Sequence, residues 1–240
     1  MVSYDGYDYA AFWKGREYED KADKMAVSEL LSRIPGSLGS VADIGGGTGR
    51  MVGLYASRAD KITIVDPSKE QLEHAKKAAV GGIDAAFVVG SAEDMPSPDK
   101  SFDTVICVRV FHYVKDPERA IREMYRVMKP GRYLILEIPN KKHFKNRVRN
   151  LFERSRPIDM TILADGAFIN HVPDEISLIL TTVGFNILAK KSVSNFRWPF
   201  LKRILPVSLM LFMEKHIQGP LARIWFGPSA YFLAQKHGQP

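Results

Sequence analysis

Between Asp43 and Gly49 the chain reads D-I-G-G-G-T-G, and Gly45, Gly47 and Gly49 alternate behind the acid. Glycine costs about 0.5–1 kcal/mol relative to alanine inside regular structure, so backbone stripped this far points to a loop that something approaches closely. A triphosphate loop needs lysine and then Ser or Thr after its last glycine; here Arg50 and Met51 follow Gly49. The dinucleotide fingerprint G-x-G-x-x-G fails in every frame: the sixth position is Arg50 from Gly45 and Val52 from Gly47, and the third from Gly46 is Thr48. The remaining pattern is D-x-G-x-G-x-G, a ligand loop without a phosphate-binding lysine. A second acid, Asp66, ends the apolar run ITIVD, and two histidines, His112 in FHY and His171 in INHVP, are candidate general bases. Either can equally be a packed structural histidine.

The elements around these residues alternate. Residues 19–34 carry Ala22, Met25, Ala26, Leu30 and Leu31 at helical spacing. Strands are expected at 41–44, 61–66, 85–90, 101–110 and 132–139, and helices at 49–57, 68–78 (Ser68 as cap) and 117–128 (Pro117 at its first position). Five strand–helix alternations with short links predict a Rossmann-like α/β sheet, mostly parallel, with helices on both faces. Further on, 174–183 reads as a helix, 184–193 as a sixth strand, and 229–236 as a seventh, antiparallel and at the edge. In such sheets ligands sit at the carboxyl ends of the strands where strand order reverses, which is where the glycine loop falls.

The chain has 240 residues and a formal charge of +7, a size suited to one domain. The charge is local: residues 141–156 hold seven Lys/Arg against one acid, and residues 190–240 hold eight against one. These segments sum to +13, so the rest carries −6. Cys107 is the single cysteine, so no internal disulfide forms. The start, MVSYDGYDYA, lacks the basic opening and apolar core of a signal peptide, and no run reaches the ~18 apolar residues of a spanning helix. A cytoplasmic location, with membrane contact at most peripheral, is the expectation.

The sequence resembles the class I S-adenosylmethionine-dependent methyltransferases, and within them the small-molecule branch that includes quinone-biosynthesis enzymes. The resemblance covers residues 41–139 through five motifs in order: VADIGGGTG, ITIVDPS, GSAEDMP, SFDTVICVRVFHYVKDP and MKPGRYLILEIP. It implies S-adenosylmethionine as cofactor, S-adenosylhomocysteine as product, and no metal. Asp66 would accept both ribose hydroxyls, with Pro67 beside it, since a carboxylate's two oxygens match a vicinal diol. Gly45, Gly46 and Gly47 would lie against the methionine half, and Asp43 would hold the loop or the cofactor's ammonium. Ser91, Ala92 and Glu93 would read the adenine; Ser91 stands where the family usually has an acid. Val108 and Arg109 would reach the cofactor after the fourth strand, and Tyr18, with Arg16, would close the N-terminal helix over it. His112 and His171 are the candidate bases for an in-line methyl displacement, which needs no catalytic triad.

The resulting division is a single methyltransferase domain over 1–240: an N-terminal arm and helix (1–40), a cofactor-binding core (41–139), a lid insertion (140–172), the rest of the sheet (173–195 and 229–240), and an apolar insertion (196–228). The acceptor is expected to be small and apolar, quinone- or lipid-like. An RNA methyltransferase is favoured only by net charge: no appended RNA-binding module is evident, and VRVFHY stands where an amide-methylating N/D-P-P-Y motif would. A non-catalytic binding protein on the same fold is the other alternative. Nucleic acid is not an expected partner. Segment 196–228 is expected to pack as a lid or homodimer contact, or to touch a membrane surface, its apolar run being flanked by Lys202, Arg203 and Lys215.

Overall fold

In the computed structural model the described residues are 12–77, 85–152, 161–163 and 166–238. The N-terminal aromatics Tyr4, Tyr7 and Tyr9, expected as part of an arm, lie outside them. Seven strands form the main sheet: β1 (Gly39–Ile44), β2 (Ala59–Asp66), β3 (Ala85–Val89), β4 (Phe102–Cys107), β5 (Met128–Pro139), β8 (Phe185–Val193) and β9 (Ser229–Lys236). A separate two-stranded hairpin pairs β6 (Thr161–Leu163) with β7 (Gly166–Phe168) inside the 140–172 insertion, an element with no sequence expectation. The main order is β3-β2-β1-β4-β5-β9-β8. Strands β1 to β5 are parallel, and β9 runs antiparallel to both β5 and β8. The order reverses between β1 and β4, so the glycine loop after β1 opens onto the switch point.

The expected edge position of 229–236 is corrected. β9 lies between β5 and β8, and β8 is the edge strand. Burial explains the exchange. SAYFLAQK is almost wholly buried, as a strand covered on both faces must be. FNILAKKSV alternates between half-buried and exposed positions from Asn186 to Lys190, as an edge tolerates.

The strands alternate between two cores. Ala42, Ile44, Val105, Cys107, Leu134 and Leu136 face α4 (Pro117–Val127) and α6 (Pro173–Val183). Val41, Ile62, Ile64, Ile106, Ile135 and Tyr231 face α1 (Glu17–Ser32) and α8 (Val207–Ala222). The expected starts hold for α3 (Lys69–Lys77), where Ser68 Oγ accepts from the Gln71 N–H at 3.2 Å, and for α4, where the Asp116 carboxylate accepts from the Arg119 N–H at 3.0 Å ahead of Pro117.

Several boundaries differ from expectation, β5 for example starting at Met128 rather than 132, and two of them bear on the site. The helix expected at 49–57 shrinks to α2 (Val52–Tyr55) and a tight 3-10 turn, because Gly49 sits at φ +80° and the first bonds span three residues. The fourth strand stops at Cys107 rather than 110, because Arg109 adopts φ +64° and breaks the ladder. The remaining helices are α5 (Phe144–Phe152) after β5 and α7 (Pro199–Ile204) before α8.

Candidate cofactor site

A cleft opens at the switch point. It is bordered by Ile44 and Gly45 on the β1 loop, Asp66 and Pro67 at the end of β2, Ser91, Ala92 and Glu93 after β3, and Arg109, Val110 and Tyr113 after β4. Four sequence motifs far apart in the chain therefore meet at the carboxyl ends of four neighbouring strands.

Asp66 is 6% exposed and already serves the loop. Its Oδ2 accepts from the Gly47 N–H at 3.0 Å and its Oδ1 from the Ser68 N–H at 2.9 Å. A carboxylate offers about four lone-pair sites, so two backbone donors leave capacity toward the cleft. Burial raises its pKa, and the two backbone N–H groups work against that rise.

The three glycines are bare for three different reasons. A Cβ on Gly45 (φ +64°) would stand 2.2 Å from Val110 Cγ2, so its lost side chain makes room for protein. A Cβ on Gly46 would meet Ile64 Cγ2 at 2.9 Å and Asp43 Cγ at 3.0 Å, again protein. A Cβ on Gly47 (φ +50°) would meet nothing nearer than Asp66 Oδ2 at 3.8 Å. Gly47 alone is bare over open space, directly in front of the cleft's acid. At Gly45 and Gly46 the protein's own side chains leave no room for a Cβ, while Gly45 still borders the cleft.

Asp43 lies beneath the loop, 3% exposed, with its Oδ2 accepting from the Tyr55 hydroxyl at 2.7 Å. Burial pushes its pKa up to about 6, with Tyr55 and Arg50 opposing. It supports the loop and does not border the cleft. Val108 does not border it either: it is packed into the core against α1, and the turn at Arg109 brings Val110 to the cleft in its place.

Arg109 does border the cleft, but its guanidinium faces inward. Nε and one terminal nitrogen donate to the two Asp23 oxygens at 2.9 and 3.0 Å, and its backbone N–H donates to Glu137 Oε2 at 2.9 Å. Burial opposes its charge, yet Asp23 and Glu137 more than offset this and raise its pKa. Asp23, fully buried on α1, also accepts from the Tyr231 hydroxyl at 2.8 Å. Sequence reading passed over Asp23 and Glu137. Their signal was an acid adjoining an apolar helix stripe and an acid inside RYLILEIP.

Tyr18 does not reach the cleft. It is 2% exposed, its hydroxyl donates to Glu214 Oε2 at 2.7 Å, and its oxygen accepts from the Phe196 N–H at 2.9 Å. It ties α1 to the 196–228 segment instead of closing over a ligand. The reason is Glu214, a buried acid on α8 that needs donors.

The histidines sit close by. His112 stacks on Phe168 at 4.8 Å and against Tyr113 at 3.9 Å. Burial, then Arg109 and His171, push its pKa down to about 3. It is neutral at pH 7 but a weak base. Nε2 of His171 lies 2.7 Å from the Phe111 carbonyl, and its backbone N–H donates to the Pro139 carbonyl. His171 therefore pins the 3-10 turn Phe111–Tyr113 to the end of β5.

The cofactor of the resembled family is S-adenosylmethionine, and the residues present fit it. The cleft offers an acid with spare acceptor capacity, beside it a loop glycine, Gly47, with room for a Cβ, and a glycine loop that carries no lysine, Lys115 being the lysine of the rim. Among the described residues there is no cluster of three or more acids, histidines or cysteines placed to hold a metal.

Residues 42–136 match the methyltransferase domain family. A 2-methyl-6-phytyl-1,4-hydroquinone methyltransferase of rice (Oryza sativa subsp. japonica) is 40% identical over 94 residues, 38% of this chain and 28% of the relative. A ubiquinone/menaquinone biosynthesis C-methyltransferase, UbiE, of Rubrivivax gelatinosus is 32% identical over 145 residues, 60% of this chain and 55% of the relative. The chain thus spans about half or less of the length of these curated relatives. Among solved structures, a methyltransferase of Haloferax volcanii in complex with the activator Trm112 shares the fold: TM-score 0.65, 18% identity, 95% of this chain and 96% of the other covered.

Sheet order and glycine loop together define a Rossmann-like methyltransferase fold. Over residues 42–136 the chain is similar to the S-adenosylmethionine-dependent methyltransferases of the methyltransferase domain family.

Proposed function

We propose that the protein transfers a methyl group to a small apolar acceptor of the hydroquinone type. The observation that carries the cofactor half is the pairing of Gly47, bare over open space, with the half-satisfied carboxylate of Asp66. The acceptor class is supported by the printed activities of the rice and Rubrivivax relatives.

Bound S-adenosylmethionine supplies an electrophilic methyl on a sulfonium. The chain's own residues bind and orient. Asp66 accepts hydroxyl donors, Ser91 to Glu93 offer polar edges for a base, and the inward-turned Arg109 holds the β4 end rigid through Asp23 and Glu137. Holding two reactants in line supplies roughly 7–11 kcal/mol, so no strong base is required of the site. His112, with its pKa near 3, is suited to packing the cleft wall. His171 positions that wall through Phe111.

The test is transfer of labelled methyl from S-adenosylmethionine to a panel of prenylated hydroquinones. Asp66→Asn should weaken S-adenosylhomocysteine by about 1.5–3 kcal/mol, the worth of a charge-assisted hydrogen bond. Unchanged affinity in that variant removes Asp66 from the site. Cofactor binding without transfer to any hydroquinone removes the acceptor class and leaves the cofactor standing.

A further inference from the structure

In the segment 196–228 some polar side chains are buried while several large apolar ones are exposed. Helix α8 turns Met210, Glu214 and Gln218 inward at four-residue spacing, and Glu214 and Gln218 are fully buried. The Glu214 carboxylate is satisfied there by Tyr18 and by the backbone N–H groups of Ser194 and Asn195. The opposite side of α8 presents Leu209 (43% exposed) and Phe212 (65%). Helix α7 presents Phe200 (67%) and Ile204 (60%), also four apart on one face. Trp198, 47% exposed, stacks on Phe144 of α5, which stacks in turn on Phe226. A water-facing helix ordinarily does the reverse.

Charge selects among the occupants. Glu214 is the sole acid of residues 196–228, and it is buried. Among the described residues the exposed charges on these helices and just after them are cationic, Arg203, Lys215 and Arg223 with Lys145 and Arg147 on α5, while the nearby acid Asp174 of α6 is paired with Lys142 and Trp225. Lys202, counted among the flanking cations from sequence, is committed to Glu19 and drops out. An apolar face rimmed by unopposed cations is complementary to an anionic lipid surface. Among the described residues no helix is long and apolar enough to cross a membrane, so contact would be at the interface. The chain segments bearing this face follow β5 and β8, at the same end of the sheet as the cofactor cleft.

We propose that α5, α7 and α8 form a docking face for an anionic lipid surface, with Phe200, Ile204, Leu209 and Phe212 entering the interface and Arg203, Lys215 and Arg223 meeting headgroup phosphates. This goes beyond the methyl-transfer reading and does not depend on the acceptor. The full chain is floated with vesicles of phosphatidylcholine plus phosphatidylglycerol, and with phosphatidylcholine alone, at low and high salt. It binds the anionic vesicles, less so at high salt, and the neutral ones far more weakly. Arg203→Ala with Lys215→Ala lowers binding about 25-fold, at about fivefold per cation. Phe200→Ser with Phe212→Ser lowers it at least tenfold. Both double variants keep the parent's circular dichroism and its affinity for S-adenosylhomocysteine, which separates this result from any failure of the cofactor site. Absence of binding to anionic vesicles at low salt overturns the proposal. Equal binding to both vesicle types does so too, as does a dimer that the phenylalanine variant dissolves while vesicles bind nothing.

Discussion

Replacing Gly47 and Gly45 one at a time by alanine separates a loop shaped for a ligand from a loop shaped for the protein. Both residues have positive φ, +50° and +64°, which costs a side-chain-bearing residue about 1–2 kcal/mol. At Gly47 nothing adds to that cost, because the new Cβ meets only Asp66 Oδ2 at 3.8 Å. At Gly45 the Cβ would fall 2.2 Å from Val110 Cγ2, and such overpacking costs about 1–3 kcal/mol more. Urea unfolding should therefore show Gly47→Ala down by about 1–2 kcal/mol and Gly45→Ala down by about 2–5 kcal/mol.

Adding S-adenosylhomocysteine reverses the ranking of interest. At a hundred times its dissociation constant a ligand stabilises the parent by about 2.7 kcal/mol. If the Gly47 methyl fills ligand space and lowers affinity about a hundredfold, the same concentration stabilises that variant by only about 0.4 kcal/mol. A full 2.7 kcal/mol gain in Gly47→Ala would show that this glycine serves the turn alone. A Gly45→Ala protein as stable as its parent would refute the collision with Val110.

Tyr18→Phe should lower stability by about 1–3 kcal/mol, since it removes one donor of the buried Glu214 carboxylate and leaves the Phe196 N–H without its acceptor. Its cofactor affinity should match the parent's in calorimetry, and a tenfold loss would return Tyr18 to the site. His112→Phe addresses pH. The folded pKa of His112, about 3, lies below its ordinary 6.5, so the unfolded chain binds the extra proton between these values. Stability falls as pH drops from 6.5 toward 3, by up to about 1.4 kcal/mol per unit. The variant, which can still stack on Phe168, should lose that part of the slope in melting curves taken across the range. Identical slopes would show that His112 titrates normally.

Alternating apolar runs and their caps made most of the sheet readable, because period and capping are local properties. Strand order at the far edge is not local. Whether 229–236 or 184–193 is outermost depends on which strand is covered on both faces, although the continuous apolar run of SAYFLAQ against the lysines of NILAKKS carried that signal. The cleft's acid and loop were legible for the same reason the fold was: a glycine run can be read residue by residue. The partners of Tyr18 and Arg109 were not, because Glu214 and Asp23 lie 196 and 86 residues away in the chain. Which of three glycines has room for a side chain depends on Val110 and Ile64, side chains that reach the loop only after folding.

The interior place of β9 also sets an order of assembly. The run β3-β2-β1-β4-β5 needs nothing beyond Pro139 to pair all its parallel strands, so it can form while later residues are still emerging from the ribosome. β8 is the next main-sheet strand made, yet it has no partner in that half: among the described residues it pairs only with β9, which comes after the whole α7–α8 segment. Until then the β5 edge stands open and β8 waits unpaired, two strand edges of the kind that recruit other chains. β9 closes both at once, zipping to β5 through Tyr133–Pro139 and to β8 through Phe185–Val193. A ribosome stalled between Val193 and Ser229 would thus display a nearly complete cofactor half beside an adhesive edge, which makes this stretch of synthesis the one most in need of a chaperone.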